Sequence, residues 1–301
     1  MSATPEQYLS TRRVGGAEIT LILEGTGPFP VDLNVPEAAW RPLVPEADAD
    51  GNVELGSGGA YLRLGDASIV IDPGLDDPGT PAAHATEAVF VGWSFTPGFQ
   101  AGLNEIGVTN DTVTHVLITH AHFDHCLGVV VEQNGALVPR YPNARHLLGQ
   151  ADWNLHFTPE GEQRPLAPSP FAPVNQIMRD RLQLIMQAGL LDLVEGDHEV
   201  APGVTTVPTP GETPGHRAVR IESDGAICWH LGDIAHYAVE FEHLDWLTPT
   251  RRDAAAMFAS RQRVFPRIVA ENALVTWSHA RFPGWGQIVQ AGDGYRWQPF
   301  D

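Results

Sequence analysis

Short apolar runs, separated by glycine, proline and acidic residues, recur along the chain and predict mainly β-strands. Residues 19–23 form the first such run and predict a strand. Glycine and proline then break the pattern as far as Pro30, which predicts a loop. Residues 34–58 carry repeated proline, acidic and glycine signals, so we expect a long excursion on the surface there.

Two segments, one in each half of the chain, have the same pattern. Residues 60–72 read as a strand, a Gly-Asp turn and a second strand, and they end in Asp72. Residues 216–233 repeat this order and end in Asp233. Further strands are predicted at 113–119, 144–148, 204–207 and 273–278. Each half is therefore expected to deliver one carboxylate at the end of a strand.

Helical periodicity occurs in two places. Apolar residues recur at helical spacing over residues 175–188, and Gly189 is a suitable helix stop. Residues 253–264 predict a second helix. The first helix follows a Pro-rich stretch, 158–173, which cannot be regular structure. We expect this insertion, spanning 158–188, to cap the functional site.

Strands and helices interleave along the chain without a clean linker. This order predicts the α/β class and a single domain, residues 1–301, made of two similar halves.

The composition excludes several classes of function. A formal net charge of -19 argues against nucleic acid as a partner, since phosphate binding needs clustered basic residues. All 18 basic residues are arginine, which excludes a lysine nucleophile or Schiff base. Cys126 and Cys228 form no metal-binding pair and are expected to be buried. Residues 1–13 lack a signal-peptide core, and no run approaches the roughly 18 apolar residues of a membrane span. We therefore expect a cytoplasmic protein with no membrane contact.

The candidate chemistry begins directly after the predicted strand 113–119. Three imidazoles and one carboxylate lie there within a few residues, and three more ligand-type residues follow at or just after later strands. In chain order the candidates are His120, His122, Asp124, His125, His216, Asp233 and His279. Histidine and aspartate are common ligands of zinc and related ions, and this number suits two ions rather than one.

A two-metal site activates water without a protein nucleophile. It holds a bridging hydroxide, polarises a carbonyl or phosphoryl oxygen and stabilises the departing oxygen. The chain accordingly has no G-x-S-x-G nucleophile motif.

These motifs resemble those of the metallo-β-lactamase superfamily of hydrolases. The resemblance rests on Ile-Asp-Pro-Gly around Asp72, the motif at 120–125, Thr-Pro-Gly-His at His216, Leu-Gly-Asp at Asp233, and His279. It implies an αββα sandwich with the metals at one sheet edge. Within the superfamily the chain is similar to lactone- and ester-cleaving members, namely N-acyl homoserine lactone lactonases and methyl parathion hydrolase.

The resemblance also implies a role for each candidate. The ligands would form two sets joined by Asp233 as a bridge: His120, His122 and His216 for one ion, and Asp124, His125 and His279 for the other. Asp72 would orient a ligating histidine from behind. The ions would be two zinc ions, with iron, manganese and cobalt as alternatives. Asp124 and Asp233 are thus the catalytic carboxylates.

Other residues near these motifs are candidates for substrate contact. His236 and Tyr237 follow Asp233 closely and are candidates for a proton donor or oxyanion stabiliser. Glu212 departs from the family pattern, because many lactonases have histidine at that position. Four aromatic residues in flanking loops are candidate pocket walls, with core packing as the competing interpretation: Trp93, Phe95, Phe282 and Trp285.

The sequence therefore predicts a dinuclear hydrolase that opens a lactone or cleaves a small neutral ester by attack of a metal-bridging hydroxide. Organophosphate, aryl halide and thioester hydrolysis are alternatives on the same site. A metal-binding module without catalysis is disfavoured, because every expected ligand is present. The exact substrate, the native metal and the oligomeric state are not indicated.

Overall fold

The structure is a computed structural model that describes residues 4–158, 169–249, 252–292 and 294–300. The strands, in chain order, are β1 (Leu9–Val14), β2 (Ala17–Pro30), β3 (Asn52–Leu64), β4 (Ala67–Ile71), β5 (Ser94–Phe95), β6 (His115–Leu117), β7 (Val130–Gln133), β8 (Ala136–Pro139), β9 (Arg145–Gly149), β10 (Leu191–Val194), β11 (His198–Ala201), β12 (Val204–Pro208), β13 (Arg217–Ser223), β14 (Ala226–His230), β15 (Leu274–Thr276), β16 (Gly286–Ala291) and β17 (Gly294–Pro299). The α-helices are α1 (Glu37–Trp40), α2 (Pro81–Glu87), α3 (Phe99–Glu105), α4 (Phe123–Cys126), α5 (Gln150–Phe157), α6 (Ala172–Gln187), α7 (Val239–Glu242) and α8 (Ala254–Ala270).

The strands form two large sheets and a small hairpin. The first sheet has the order β1-β2-β3-β4-β6-β9-β10, with β5 paired to β2. The second has the order β11-β12-β13-β14-β15-β16-β17, and β7 pairs with β8 alone. Most neighbours are antiparallel, but β4, β6, β9 and β10 run parallel, as do β14 and β15. Each sheet therefore contains a parallel segment inside an antiparallel frame.

Apolar side chains from both sheets meet in one core. Ile19 and Leu62 of the first sheet pack in the same cluster as Val219 and Ile221 of the second. A second cluster joins the outer face of the first sheet to helices α3 and α6, and a third joins the second sheet to α8. Helices therefore cover the outer faces of two sheets packed face to face, as the predicted αββα sandwich requires.

The expected loop and surface excursion around residues 24–58 are partly wrong. Strand β2 continues to Pro30, and β3 already begins at Asn52, so the two strands form a long antiparallel ribbon. Glycines within the ribbon obscure the alternation in the sequence. At Gly59 a Cβ atom would come within 1.9 Å of the carbonyl oxygen of Asp72, so only glycine allows this close approach. Strand β1, at the edge of the sheet, was not predicted.

Helix α6 occupies the place of the predicted helix 175–188. Val174, Met178 and Leu182 are buried in the cluster outside the first sheet, and the Arg181 guanidinium donates a hydrogen bond to Asp76 at 2.5 Å. One face of the helix is thus part of the core, and the expectation that the insertion 158–188 caps the site stays a prediction. Residues 159–168 of the Pro-rich stretch lie outside the described residues.

The helix predicted at 253–264 is α8, which continues beyond Pro266 to Ala270. Its first turn begins as the sequence suggests, because the Asp253 side chain accepts the Ala256 backbone N–H at 3.0 Å. Across the described parts of the chain, no helix combines the length and apolar character needed to cross a bilayer.

The core position of α6 predicts a stability effect. Leu182→Ala should lower the free energy of unfolding by about 2–5 kcal/mol, because the lost methyl groups leave a cavity in a packed cluster. Urea unfolding measures this change, with the exposed neighbour substitution Gln183→Ala as the control. Equal unfolding midpoints for the two variants would contradict the core assignment.

Candidate functional site

Two pairs of parallel strands bring the candidate residues to one edge of the sandwich. Strands β4 and β6 are parallel neighbours in the first sheet, and β14 and β15 are parallel neighbours in the second. Parallel neighbours end at the same sheet edge, so the residues that follow them come together. Asp72 and His120 follow the first pair, and Asp233 and His279 follow the second.

The carboxylate of Asp233 lies at the centre of the resulting cluster. Its Oδ2 lies 3.1 to 3.6 Å from four imidazole nitrogens, the Nε2 atoms of His279, His236, His125 and His120. All of these residues are buried. One carboxylate oxygen therefore faces several nitrogens that can each provide a lone pair to a metal ion.

The geometry contains more than one set of metal-competent atoms. Among the described residues, three sets bring their ligand atoms within 4.8 Å of one another: His120, His122, Glu212 and Asp233; Asp124, His125 and His279; and Asp233, His236 and His279. Asp233 and His279 each belong to two sets, so the sets adjoin. Imidazole and carboxylate together suit zinc and neighbouring transition metals.

Two buried atoms in the cluster test whether the residues fit a metal ion. His125 Nε2 and Asp233 Oδ1 have no hydrogen-bond partner among the described residues. Buried polar atoms are normally paired, and leaving one unpaired costs about 1–3 kcal/mol. A bound cation would interact with the lone pairs of both atoms and remove this cost, so the donor set fits a metal.

Hydrogen bonds behind the cluster orient two of its imidazoles. His125 Nδ1 lies 2.9 Å from Asp72 Oδ2, and His279 Nδ1 lies 2.8 Å from the carbonyl oxygen of Gly56. Asp72 is itself held by the backbone N–H and hydroxyl of Thr119, both at 2.7 Å. Each Nδ1–H is thus occupied, which leaves Nε2 turned towards Asp233. Asp72 lies where the sequence predicted an orienting carboxylate.

Burial and neighbouring charges set the protonation states. Burial lowers the pKa of His120 well below its usual value, and the charge of His125 adds to this effect. Burial raises the pKa of Asp233, but the charges of His279 and His125 outweigh burial and hold it well below the usual range. Burial likewise lowers the pKa of His279, but Asp233 outweighs it and raises the value to about 9. Metal binding at His279 would therefore release a proton.

His216 stands beside the cluster rather than in it. Its Nε2 accepts the Asp233 backbone N–H at 2.9 Å, and its Nδ1 lies 2.8 Å from the hydroxyl of Thr209. The centres of the His216 and His120 rings are 5.1 Å apart. Both nitrogens are engaged, and in the described part of the chain His216 belongs to none of the sets of converging ligand atoms.

Glu212 takes a place in the cluster that the sequence did not assign to it. Its Oε1 lies 3.3 Å from His122 Nδ1 and 4.0 Å from His236 Nε2. The Arg252 guanidinium forms a fork with both carboxylate oxygens, and its Nη2 lies 3.1 Å from His236 Nε2. Burial raises the pKa of Glu212, but the charge of Arg252 outweighs burial and lowers it to about 2. Glu212 is therefore an ionised carboxylate.

Of the two candidates that follow Asp233, His236 faces the cluster and Tyr237 does not reach it through its hydroxyl. The His236 ring stacks on His279 with centres 5.2 Å apart. The Tyr237 hydroxyl donates to the carbonyl oxygen of Pro30 at 2.8 Å, and its ring packs in an apolar cluster. Because the Tyr237 hydroxyl is already hydrogen-bonded to a backbone carbonyl oxygen, the expectation that Tyr237 contacts substrate is corrected.

The candidate pocket residues lie in different environments. Trp285 is buried between the sheets and donates its indole N–H to Ser10 at 3.0 Å, so it belongs to the core and not to a pocket. Phe282 packs partly against the same cluster. Phe95 is 37% exposed on the short strand β5.

Trp93 is connected to the metal-competent motif by a row of aromatic rings. It stacks on Phe90 at 4.4 Å, Phe90 lies 5.5 Å from Phe123, and Phe123 lies 5.9 Å from Phe171. Phe123 stands between His122 and Asp124 in the chain. Phe90 and Phe123 are buried in the cluster outside the first sheet, so this row belongs to the core.

Sequence reasoning missed Asp152, which joins two loops of the site. Its buried carboxylate accepts the backbone N–H of Ala121 at 2.8 Å and of Gly215 at 2.6 Å, and the hydroxyl of Thr213 at 2.8 Å. It therefore ties the motif at 120–125 to the loop before His216. A lone aspartate in the first turn of a helix is common, so no motif marked it.

A buried ion pair holds the loop that follows Asp233. Glu240 accepts the backbone N–H groups of His236 at 2.5 Å and Tyr237 at 2.8 Å. Its other oxygen accepts from Arg261 at 2.6 Å, and Arg261 also donates to the carbonyl oxygen of Ile234 at 2.8 Å. This pair was also missed, because its members are separated by a loop and share no motif.

Comparison with known proteins gives one family. The protein-family model described as metallo-beta-lactamase superfamily matches residues 58–266. An N-acyl homoserine lactonase from Bacillus cereus is 23% identical over 226 residues, which cover 72% of this chain and 78% of that protein.

Solved structures share the fold over nearly the whole chain. A hydrolase of the beta lactamase superfamily has a TM-score of 0.81 at 20% identity, covering 98% of both chains. A dizinc quorum-quenching lactonase in complex with a product has a TM-score of 0.77 at 18% identity, also over 98% of both. A probable metal-dependent hydrolase from Staphylococcus aureus has a TM-score of 0.76 at 20% identity, over 96% of this chain and 100% of that chain. At such identities the likeness establishes the fold, and the predicted sandwich is confirmed.

The contacts of Asp152 predict that it stabilises the site. Asp152→Asn puts an amide where one carboxylate oxygen accepts hydrogen bonds, so it should lower the free energy of unfolding by about 1.5–3 kcal/mol. Urea unfolding of metal-free protein measures this, with the exposed turn substitution Asp66→Asn as the control. If both variants unfold like the parent, Asp152 does not join the loops.

Proposed function

The chain belongs to the metallo-beta-lactamase superfamily, and we propose that it is a dinuclear metal-dependent hydrolase that opens a lactone or cleaves a small neutral ester. The observation that carries this proposal is the position of Asp233. Its Oδ2 lies 3.6 Å from His120 Nε2 on one side and 3.1 Å from His279 Nε2 on the other. A carboxylate between two adjoining sets of ligands is suited to bridge two ions.

We propose two zinc ions, with iron, manganese or cobalt as alternatives. His120 and His122 would hold the first ion. His216 lies next to His120. The second would lie at Asp124, His125 and His279. Asp124 supports the second set because its Oδ2 lies 3.7 Å from His125 Nε2 and 3.8 Å from His279 Nε2.

Ions held at these positions would polarise a substrate carbonyl and make water nucleophilic at neutral pH. The chain's own residues would orient the groups that react. Asp72 and the carbonyl of Gly56 hold the imidazoles of His125 and His279 from behind, so their Nε2 atoms need no rearrangement. His236 faces the same space, and we propose that it contacts the substrate near the oxygen on which charge develops.

A neutral substrate with an apolar part fits the surroundings best. The net charge of -19 would repel a polyanion during encounter. Trp93, which is half-buried, and Phe95, which is exposed, stay the candidate walls for an acyl chain. The names of the relatives, N-acyl homoserine lactonases, support the same substrate class.

Metal analysis together with a substrate panel tests the proposal. We expect two metal ions per chain, loss of activity with a strong chelator, and recovery with zinc, cobalt or manganese. Neutral acyl lactones or aryl esters should give the highest kcat/KM. The panel should also contain an organophosphate triester, an aryl halide, a thioester, a phosphodiester and a β-lactam.

Two results would overturn the proposal. One is a single ion, or none, in fully active protein. The other is a phosphodiester or β-lactam that exceeds every lactone and ester in kcat/KM. An organophosphate triester, aryl halide or thioester with the highest value would keep the metal site but replace the substrate class.

Substitution of the carboxylates distinguishes their roles. Asp233→Ala and Asp124→Ala should each lower kcat/KM by roughly 10³ or more, equal to about 4 kcal/mol of transition-state stabilisation. Asp72→Ala should lower it only about 10–100-fold, because Asp72 acts through His125. Steady-state kinetics with Asp66→Ala as the control measures these values. Near-normal turnover by Asp233→Ala would show that this carboxylate does not bridge the ions.

A further inference from the structure

The loop between β12 and β13 offers two candidate ligands for the first metal ion, His216 and Glu212. Only Glu212 directs a free lone pair into the cluster. Its side chain is 1% exposed, and its Oε1 lies 3.3 Å from His122 Nδ1. Together with His120, His122 and Asp233 it forms the largest set of converging ligand atoms among the described residues. His216, in contrast, is engaged at both nitrogens.

Arg252 explains how a second carboxylate is accommodated beside Asp233. Its Nη2 donates to Glu212 Oε1 at 2.8 Å, and its Nε donates to Oε2. This fork compensates the buried charge, which would otherwise be costly. A carboxylate oxygen has two acceptor sites, so the bond from Arg252 leaves one site of Oε1 available on the side of His122.

We propose that Glu212 is a ligand of the first metal ion, together with His120, His122 and Asp233, and that His216 supports this site from behind by accepting the backbone N–H of Asp233. This assignment rests on the proposed dinuclear site. It has a chemical consequence, because carboxylate oxygen is a harder ligand than imidazole nitrogen. The first ion should therefore be less selective for zinc over manganese than a site with histidine at position 212.

Metal titration of the variants tests the assignment without using activity. Metal-free parent and Glu212→Gln proteins are titrated with zinc alone, and separately with manganese alone, in competition with a chromogenic chelator. Glu212→Gln should weaken one of the two binding events about 10–100-fold and leave the other unchanged. Glu271→Gln is the matched control, because Glu271 is also paired with an arginine, Arg220, but belongs to none of the described metal-competent sets.

Two further variants separate ligation from structural support. His216→Gln keeps an acceptor for the Asp233 backbone N–H, so it should change neither binding event by more than about threefold. Glu212→His keeps a ligand at the position, so it should retain two ions and raise the preference of one of the two binding events for zinc over manganese at least tenfold. Circular dichroism shows whether metal-free Glu212→Gln folds. If it does not, the ratio of zinc affinity to manganese affinity in Glu212→His decides the question, and a ratio unchanged from the parent overturns the proposal.

The outcomes separate this assignment from the proposed function. A parent protein that binds fewer than two ions contradicts the proposed function, and the Glu212 assignment fails with it. A parent that binds two ions, with a folded Glu212→Gln that binds both equally well, overturns only the Glu212 assignment. Loss of an ion in His216→Gln but not in Glu212→Gln would assign the ligand role to His216 instead.

Discussion

The structure around the site depends on one buried charge, the carboxylate of Asp233. An ionised carboxylate removed from water costs several kcal/mol unless nearby groups compensate it. Asp233 is 2% exposed, and its compensation comes from imidazoles on the motif at 120–125, on the loop at His236 and on the loop at His279. These segments must therefore stay in place together, because displacing one of them leaves the charge less well paired.

Other buried carboxylates hold those segments, and they act in the same physical way. Asp152 accepts two backbone N–H groups and a hydroxyl from separate loops, and Glu240 accepts two backbone N–H groups while pairing with Arg261. Asp72 holds His125 and Thr119. In each case fixed donors surround a negative charge, so moving the loop would leave the charge without partners. The metal-competent side chains are thus positioned by residues that lie outside the metal-competent sets.

The two halves of the chain use one arrangement for different purposes. In each, an antiparallel hairpin is followed by a strand that pairs in parallel with the hairpin's second strand: β3, β4 and β6 in one half, and β13, β14 and β15 in the other. Each half thereby ends two parallel strands at the shared edge. Asp72 lies behind a histidine, whereas Asp233 lies among the imidazoles. Equivalent positions at the ends of similar strands therefore provide an orienting group in one half and the central carboxylate of the metal-competent cluster in the other.

The sequence by itself determined the features that local patterns encode: the repeated strand–turn–strand segments, the two long helices, the His/Asp motif and, through the resemblance, the family and its sandwich. Tertiary structure alone decided which side chains meet. Asp152 reaches Thr213 across 61 positions, and His279 reaches Gly56 across 223. It also placed Glu212 in the cluster, Trp285 in the core and the Tyr237 hydroxyl on Pro30. Periodicity and motif spacing report on neighbours along the chain, whereas these contacts arise only when the packing of two sheets brings distant loops to one edge.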